Sequence, residues 1–290
     1  MMSSILDNPV ARDRLWRALL WTLTVIASAA LLWPIGMVIV EGVGAISPAF
    51  LTSNPENAGR AGGIASILVS TFMIVGVSLG ASLPPAFAIA VMLTEGCDPH
   101  GRIAAVMRSS LDILAGIPSV VFGLFGLSLF CRQLGLGYSI LAGGLTLGCM
   151  ILPTLARALT TALEASGAGH RGAGAALGLT RRAVLLRVIL PVALPGICAG
   201  IILALTRALA ETAVLLFTSG YSDRMPSSVM DSGRSISVHI YELSTNVPGG
   251  IGNAYGSAFA LLLVLAVLSV SVHASLAWMQ RRMTGTRATH

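Results

Sequence analysis

Charged residues divide the chain into apolar blocks. The stretches 18–40, 61–94, 113–131, 133–156, 188–206 and 243–280 contain no Asp, Glu, Lys or Arg. About 20 apolar residues at 1.5 Å per residue cross the roughly 30 Å bilayer core, so each block can hold one membrane-spanning helix. The pattern predicts six spans. The two longest blocks need not be helical throughout: the second opens on Ala61-Gly62-Gly63 and the sixth on Thr245-Asn246-Val247-Pro248-Gly249-Gly250. The first block follows Arg12, Arg14 and Arg17 and contains Ala27-Ser28-Ala29, which resembles a cleavage site. Its apolar run is longer than a signal core of about 7 to 15 residues, so it reads as a retained span.

Charge then orients the spans. With a cytoplasmic N-terminus, the inner segments hold Arg12, Arg14, Arg17, Arg102, Arg108, Arg157, Arg171, Arg181, Arg182, Arg187, Arg281, Arg282 and Arg287. The outer segments hold only Arg60, Arg132, Arg224 and Arg234. This asymmetry matches positive-inside sorting and predicts that both termini are cytoplasmic. Of the 290 residues 55% are hydrophobic and 10% charged, against about a quarter charged in a soluble domain, so a water-soluble globule is excluded. All 18 basic residues are arginine, and they lie in the gaps between apolar blocks. A nucleic-acid binder would gather them on one polar face with interleaved aromatics, so the net charge of +6 points to membrane topology and not to nucleic acid.

The remaining chemistry is sparse. Cys97, Cys131, Cys149 and Cys198 have no metal-ligand or redox spacing. His100, His170, His239, His273 and His290 lack metal spacing, and no HExxH, GxSxG or Walker A motif occurs, so any ATP is bound by another chain. Ser109-Ser110-Leu111-Asp112 reads as an N-terminal cap for the third span. Pro84-Pro85 predicts a kink in the second, and Gly76 and Gly80 form a small-xxx-small pair suited to close helix packing. The predicted outer loop, residues 218–255, holds Asp223, Arg224, Asp231, Arg234 and Glu242, nearly balanced in charge. Within it Ile236, Ile240 and Leu243 predict a short amphipathic helix, either a structural lid or a docking surface for an extracytoplasmic partner.

Residues 165–187 carry a more specific pattern. Gly167 to Arg187 reads GAGHRGAGAALGLTRRAVLLR, two short helical stretches separated at Gly178-Leu179-Thr180, followed by Val188-Ile189-Leu190-Pro191. Small residues let a backbone approach a partner closely. The segment resembles the cytoplasmic coupling loop of ABC importer permeases, whose pattern is Glu-Ala-Ala, three residues, Gly, nine residues, Ile-x-Leu-Pro. Aligned on Gly178 and Leu190-Pro191, the Glu-Ala-Ala positions become Gly172, Ala173 and Gly174, with Arg171 alongside, so the family's glutamate is absent. Leu205 to Ser219, LTRALAETAVLLFTS, is similar to the RAxGETAPLLFTA stretch of the A-type membrane subunit of phosphate importers, with Ala210 for Gly and Val214 for Pro. Leu114-Ala115-Gly116-Ile117-Pro118-Ser119, Val121-Phe122-Gly123-Leu124-Phe125 and Leu152-Pro153-Thr154 extend the resemblance from about residue 60 to the C-terminus.

Arg207 is the one arginine assigned to neither side. If the fifth span begins near Pro195, Arg207 lies about 18 Å along it, near mid-membrane, where an ionised group costs from about 2.5 to over 10 kcal/mol. Glu211 is expected one turn later on the same face. Two readings stay open: a structural ion pair, or an oxyanion site in which the guanidinium offers planar donors and the carboxylate limits retention. Thr206, Thr212 and Thr218 add hydroxyls or simply pack.

These features predict an all-α polytopic membrane protein with six transmembrane helices of the ABC importer permease type. The expected divisions are a cytoplasmic segment 1–17, a first span with its outer loop 18–60, a permease domain 61–280 and a cytoplasmic tail 281–290. The resemblance implies an inner-membrane subunit that moves inorganic phosphate without being an enzyme. It also implies as partners a homologous C-type permease, two nucleotide-binding ATPase subunits holding ATP and Mg, and an extracytoplasmic phosphate-binding protein, within the lipid bilayer. The substrate-pathway candidates are Arg207, Glu211, Thr206 and Thr212; the ATPase-coupling candidates are Arg171, Gly172, Ala173, Gly174, Gly178, Leu190 and Pro191. A permease for phosphonate, phosphite or another oxyanion is the alternative, and an intramembrane enzyme or a secondary transporter are alternatives of other classes.

Overall fold

The structure is a computed structural model that describes residues 9–99 and 101–284. His100, Arg287 and His290, with the ends of both predicted cytoplasmic segments, lie outside the described residues. Helix α1 (Pro9–Val43) is apolar and exposed along most of its length, Trp21, Leu31 and Trp33 included. It meets the rest of the chain where Gly42 approaches Phe259 so closely that a Cβ would sit 2.5 Å from the Phe259 Cβ. Helix α2 (Pro48–Thr52), capped by the Ser47 hydroxyl, leads to an antiparallel ribbon of β1 (Pro55–Glu56) and β2 (Ala61–Gly62), in which Pro55 faces Gly62.

Helix α3 (Ala65–Val91) runs through Pro84-Pro85 unbroken and ends in a π turn, Met92–Gly96. Helices α4 (Arg102–Gly116) and α5 (Ser119–Gly126, extended by a π segment to Gln133) bend by 94° about Ile117-Pro118. Helix α6 (Ile140–Gly167) is the most enclosed, and Ser139 caps its start. Two short helices follow, α7 (His170–Ala176) and α8 (Arg181–Val184), and a π segment joins the latter to α9 (Leu190–Ala210). The chain closes with α10 (Ala213–Leu216), α11 (Ile236–Thr245) and α12 (Ile251–Thr284). Among the described residues, five helical runs are long and apolar enough to cross a membrane, or six if the bent α4–α5 pair is counted as one span.

Three expectations need correction. The block 113–131 is not one helix: Pro118 disfavours the helical conformation at Ile117, which is extended, and the direction changes there. Ser109 to Asp112 do not start a helix, since α4 begins at Arg102. Asp112 instead forms a close ion pair with Arg157 of α6, and Arg108 pairs with Glu164 at 3.1 Å. Gly76 and Gly80 meet nothing within 4 Å. The close contacts use glycines on the facing helices. A Cβ on Gly144 would lie 2.6 Å from Val77 Cβ, and one on Gly148 3.0 Å from Ser78 O, while Gly196 and Gly200 face Ala162 and Ala158 at 2.8 and 2.9 Å. Small residues hold α3, α6 and α9 together, as expected where lipid removes the hydrophobic drive between helices.

Among the described residues, most buried hydroxyls in this core return to their own helix, whereas Ser82 Oγ of α3 is buried without a hydrogen-bond partner. Ser78 donates to Val75 O at 2.8 Å, Thr146 to Ala142 O at 2.7 Å and Thr160 to Ala156 O at 2.8 Å.

On the face opposite α7 and α8, residues 218–250 form a cap around α11. Its apolar side buries Ile236, Val238 and Leu243, and Ser235 caps its start. The cap is tied to α3: Ser66 donates to Asp223 O at 2.5 Å, Ser70 donates to Arg234 O, and Ile236 N donates to Thr71 Oγ1 at 2.9 Å. Arg234 gives Nε and Nη2 to Tyr221 O at 3.1 and 2.7 Å and places Nη1 3.3 Å from His239 Nδ1. Asp231 accepts from the Ser227 and Ser228 backbone N–H groups, which hold its carboxyl below the usual range. His239 is 1% exposed. Its pKa falls to about 4, first through burial and then through the Arg234 charge, with Asp223 opposing.

Overpacking such contacts costs about 1–3 kcal/mol. Gly144→Leu is expected to lower the melting temperature of the detergent-solubilised chain, whereas Gly76→Leu leaves it nearly unchanged; equal effects would contradict the packing. His239 stays neutral in the fold but titrates near 6.5 when unfolded, so its protonation favours the unfolded cap. Cap stability is therefore full above about pH 6.5 and declines as pH falls toward 4. Hydrogen exchange of α11 measured across that range tests this, and His239→Gln should flatten the dependence.

Candidate functional site

Two places collect the residues singled out by sequence: the interruption after α9, and the turn between α7 and α8. Gly196 against Ala162 and Gly200 against Ala158 set an antiparallel register between α9 and α6. Carried seven residues further, it brings Arg207 level with Ile151, eleven residues from the start of α6 and so about 16 Å inside it. Arg207 thus lies within the depth of the helix bundle. It is exposed in this single chain, and none of the ion pairs among the described residues includes it. It occupies the last turn of α9, where the carbonyl end of the helix dipole favours a cation.

Glu211 is not its helical neighbour. The helix stops at Ala210, and Glu211 is extended at φ −76° and ψ 130°. Its Oε1 accepts from Ala213 N at 3.1 Å and Val214 N at 3.4 Å, and its carbonyl accepts the Ser237 hydroxyl at 2.5 Å. The carboxylate closes the start of α10, whose free N–H groups attract it. Thr206 donates to Leu203 O at 3.0 Å within α9, and the Thr212 carbonyl accepts from Leu216 N. Thr218 donates to Val214 O at 2.8 Å, while its carbonyl accepts from Ser139 N at 3.2 Å, fastening the interrupted segment to the start of α6. Gly123 of α5 lets the segment close in, since a Cβ there would lie 2.8 Å from the Phe217 ring.

The second place is built on a left-handed glycine. Helix α7 ends where Leu177 N bonds Ala173 O, Gly178 N bonds Ala175 O and Leu179 N bonds Gly174 O. Gly178 adopts φ +70°, the conformation that side chains disfavour. Thr180 then caps α8 through Ala183 N at 3.3 Å. Gly174 is buried under Val184, which a Cβ would approach to 2.4 Å, whereas Gly172 and Ala173 are exposed and Leu177 is 78% exposed. Pro191 has no N–H for a regular helical bond, and Leu190 N reaches Leu185 O, five residues back, within a wide π turn. The helical run therefore starts at Arg181, earlier than Pro195.

Arg171 turns inward. Its Nε donates to Glu95 Oε1 at 2.8 Å. Nη2 lies 2.8 Å from the same oxygen as an ion pair but is not aligned for a hydrogen bond, and it is buried with no other acceptor among the described residues. Gly167 makes room, as a Cβ there would sit 2.3 Å from the guanidinium carbon. Glu95 was not singled out from sequence. The signal was present: it is the first charge after the uncharged block 61–94. A cleft of about 360 Å³ opens beside the pair, bordered by Cys97, Ala175, Leu179 and Arg181.

Comparisons with known proteins agree with this architecture. Residues 86–285 match the family described as binding-protein-dependent transport system inner membrane component. A probable ABC transporter permease protein, YqgI of Bacillus subtilis (strain 168), is 27% identical over 279 residues, 91% of this chain and 95% of that protein. The phosphate transport system permease protein PstA 1 of Mycobacterium tuberculosis (strain CDC 1551 / Oshkosh) is 32% identical over 259 residues, 87% of this chain and 84% of the other. Among solved structures, an inward-facing MetNI methionine ABC transporter superimposes with a TM-score of 0.58 at 16% identity, covering 74% of this chain and 94% of that one, a shared fold. With the interrupted fifth span and the glycine-hinged pair α7–α8 in place, the chain belongs to the inner-membrane components of binding-protein-dependent transport systems, the permeases of ABC importers.

Proposed function

We propose that the chain is the A-type permease of an importer for inorganic phosphate, oriented with α7 and α8 in the cytoplasm and the 218–250 cap outside. On this reading it pairs with a C-type permease, rests on two ATPase subunits that hold ATP and Mg, and receives phosphate from an extracytoplasmic binding protein. The names of the PstA relatives support phosphate. The arginine bias toward one side supports the orientation.

The observation that carries the reading is Arg207, a guanidinium at bundle depth with no carboxylate partner among the described residues. A paired arginine has its donors taken. A free one presents planar, bidentate donors that match phosphate oxygens. Glu211, occupied in capping α10, holds the chain interruption in shape next to Arg207 and leaves that charge unneutralised. Thr206 and Thr212 flank the same interruption. On the cytoplasmic side, the exposed small residues Gly172 and Ala173 with Leu177 form a surface for a cleft on the ATPase, and Gly174, Gly178, Leu190 and Pro191 set its shape. Displacement of α7 and α8 passes into α9 through the helical run that begins at Arg181.

In the reconstituted importer, Arg207→Ala is expected to lower phosphate uptake at least a hundredfold while the complex still assembles. Arg207→Lys should recover only part, since it keeps the charge without the planar fork; normal uptake by assembled Arg207→Ala would remove the pathway role. Any side chain at Gly178 costs about 1–2 kcal/mol for the left-handed backbone. Gly178→Trp is expected to weaken ATPase co-purification or to leave hydrolysis without uptake, and unchanged assembly with unchanged transport would count against the coupling surface.

A further inference from the structure

On the proposed reading the α7–α8 loop is the ATPase contact; it has Gly172 where the family pattern has glutamate, and a carboxylate reaches it from elsewhere in the chain. Glu95 is 13% exposed on its side chain, at the end of α3, and it holds Arg171 in the second position of α7. Arg171 occupies the corner between α6 and α7 that Gly167 leaves open, while His170 Nδ1 stays 2.8 Å from Ser166 O. The opposite end of α3 is bonded to the cap through Ser66, Ser70 and Thr71. One continuous span therefore has the loop clasped at one end and the cap at the other. We propose that Glu95 is a positioning residue for energy coupling: through Arg171 it joins the α7–α8 loop to α3, so that displacement of the loop is passed along α3 to the cap.

This rests on the reading of residues 165–187 as the ATPase contact. Close packing of α3 on Gly144 and Gly148 favours movement of α3 as a rod rather than by bending. A charge pair between separate elements gives a linkage that pairwise substitution can isolate.

The test uses the full importer in proteoliposomes, with phosphate uptake and ATP hydrolysis measured together, with and without phosphate-loaded binding protein. In Glu95→Gln, basal hydrolysis is expected to stay within twofold, stimulation by the binding protein to disappear, and phosphate moved per ATP to fall at least tenfold. Glu95→Asp should retain most of the uptake, and the reversed pair Glu95→Arg with Arg171→Glu should regain at least half of what Glu95→Gln loses. Normal stimulation and stoichiometry in Glu95→Gln, or a reversed pair that regains nothing, overturns the proposal. Should Glu95→Gln fail to assemble, the reversed pair decides: regained assembly and uptake support the link, and neither regained overturns it. Gly178→Trp in the same preparation separates the two readings. If it uncouples while Glu95→Gln does not, the loop reading stands and the role of Glu95 falls; if both behave as wild type, the loop reading falls and takes this one with it.

Discussion

A helix that ends within a packed bundle leaves carbonyls and amides without helical partners, and the surrounding protein has to bond those that it encloses. The chain meets that constraint after Ala210 with one residue. Glu211 gives its carboxylate to the N–H groups opening α10 and its carbonyl to Ser237 of the cap. From there the bonding continues outward: Thr218 closes on α10 and on the start of α6, and Gly123 admits the segment against α5. Without this arrangement α9 would have to continue as a straight span, and Arg207 would be one more residue along it. The interruption gives Arg207 the carbonyl end of a helix beside it, in place of a counter-charge.

The same constraint explains what was legible in the sequence. Runs without charge located the five long apolar helices and overlapped the bent α4–α5 pair, because a charge in lipid is costly whatever the fold. They did not locate helix ends. Helix α6 extends past Arg157 to Gly167, since Arg157 finds Asp112 and the helix has no need to stop at its first charge. The block 113–131 hid a 94° bend because Ile117 and Pro118 are apolar and leave the charge pattern unchanged. Glu211 was misplaced for a related reason: an i, i+4 spacing pairs residues only while the backbone stays helical, and the break depends on local bonds to the start of α10 together with a contact from Ser237, 26 residues away in sequence. Gly144 and Gly148 were as visible as Gly76 and Gly80; which pair faces a neighbour is settled by packing alone.

The α7–α8 segment shows local and tertiary information combined. Its turn is local: Gly178 takes the left-handed conformation, and Thr180 starts the next helix. Its anchoring is not. The position where the family carries glutamate is exposed Gly172, and the carboxylate that engages the segment comes from a helix 76 residues away in sequence. A motif comparison therefore finds a missing charge at Gly172, whereas the folded chain brings a carboxylate to the neighbouring Arg171 from the end of α3.

Exposure in a single chain leaves the surroundings of an apolar helix ambiguous, and here charge resolves them. Helix α1 exposes tryptophans and leucines around its length, a surface that lipid covers at no cost. The exposed side of α9 includes Leu203 and Ala210, which lipid would also tolerate, but Arg207 lies between them. An unpaired guanidinium facing hydrocarbon costs from about 2.5 to over 10 kcal/mol, comparable to the entire stability of many domains. A fold that retains it with no ion-pair partner among the described residues has to turn that side toward water, a second subunit or a bound anion. On the proposed reading all three meet there: the partner permease encloses the space, water fills it between turnovers, and phosphate displaces that water as it passes. The lone charge that is hardest to reconcile with an isolated subunit thus becomes the strongest support for its place in an assembled pathway.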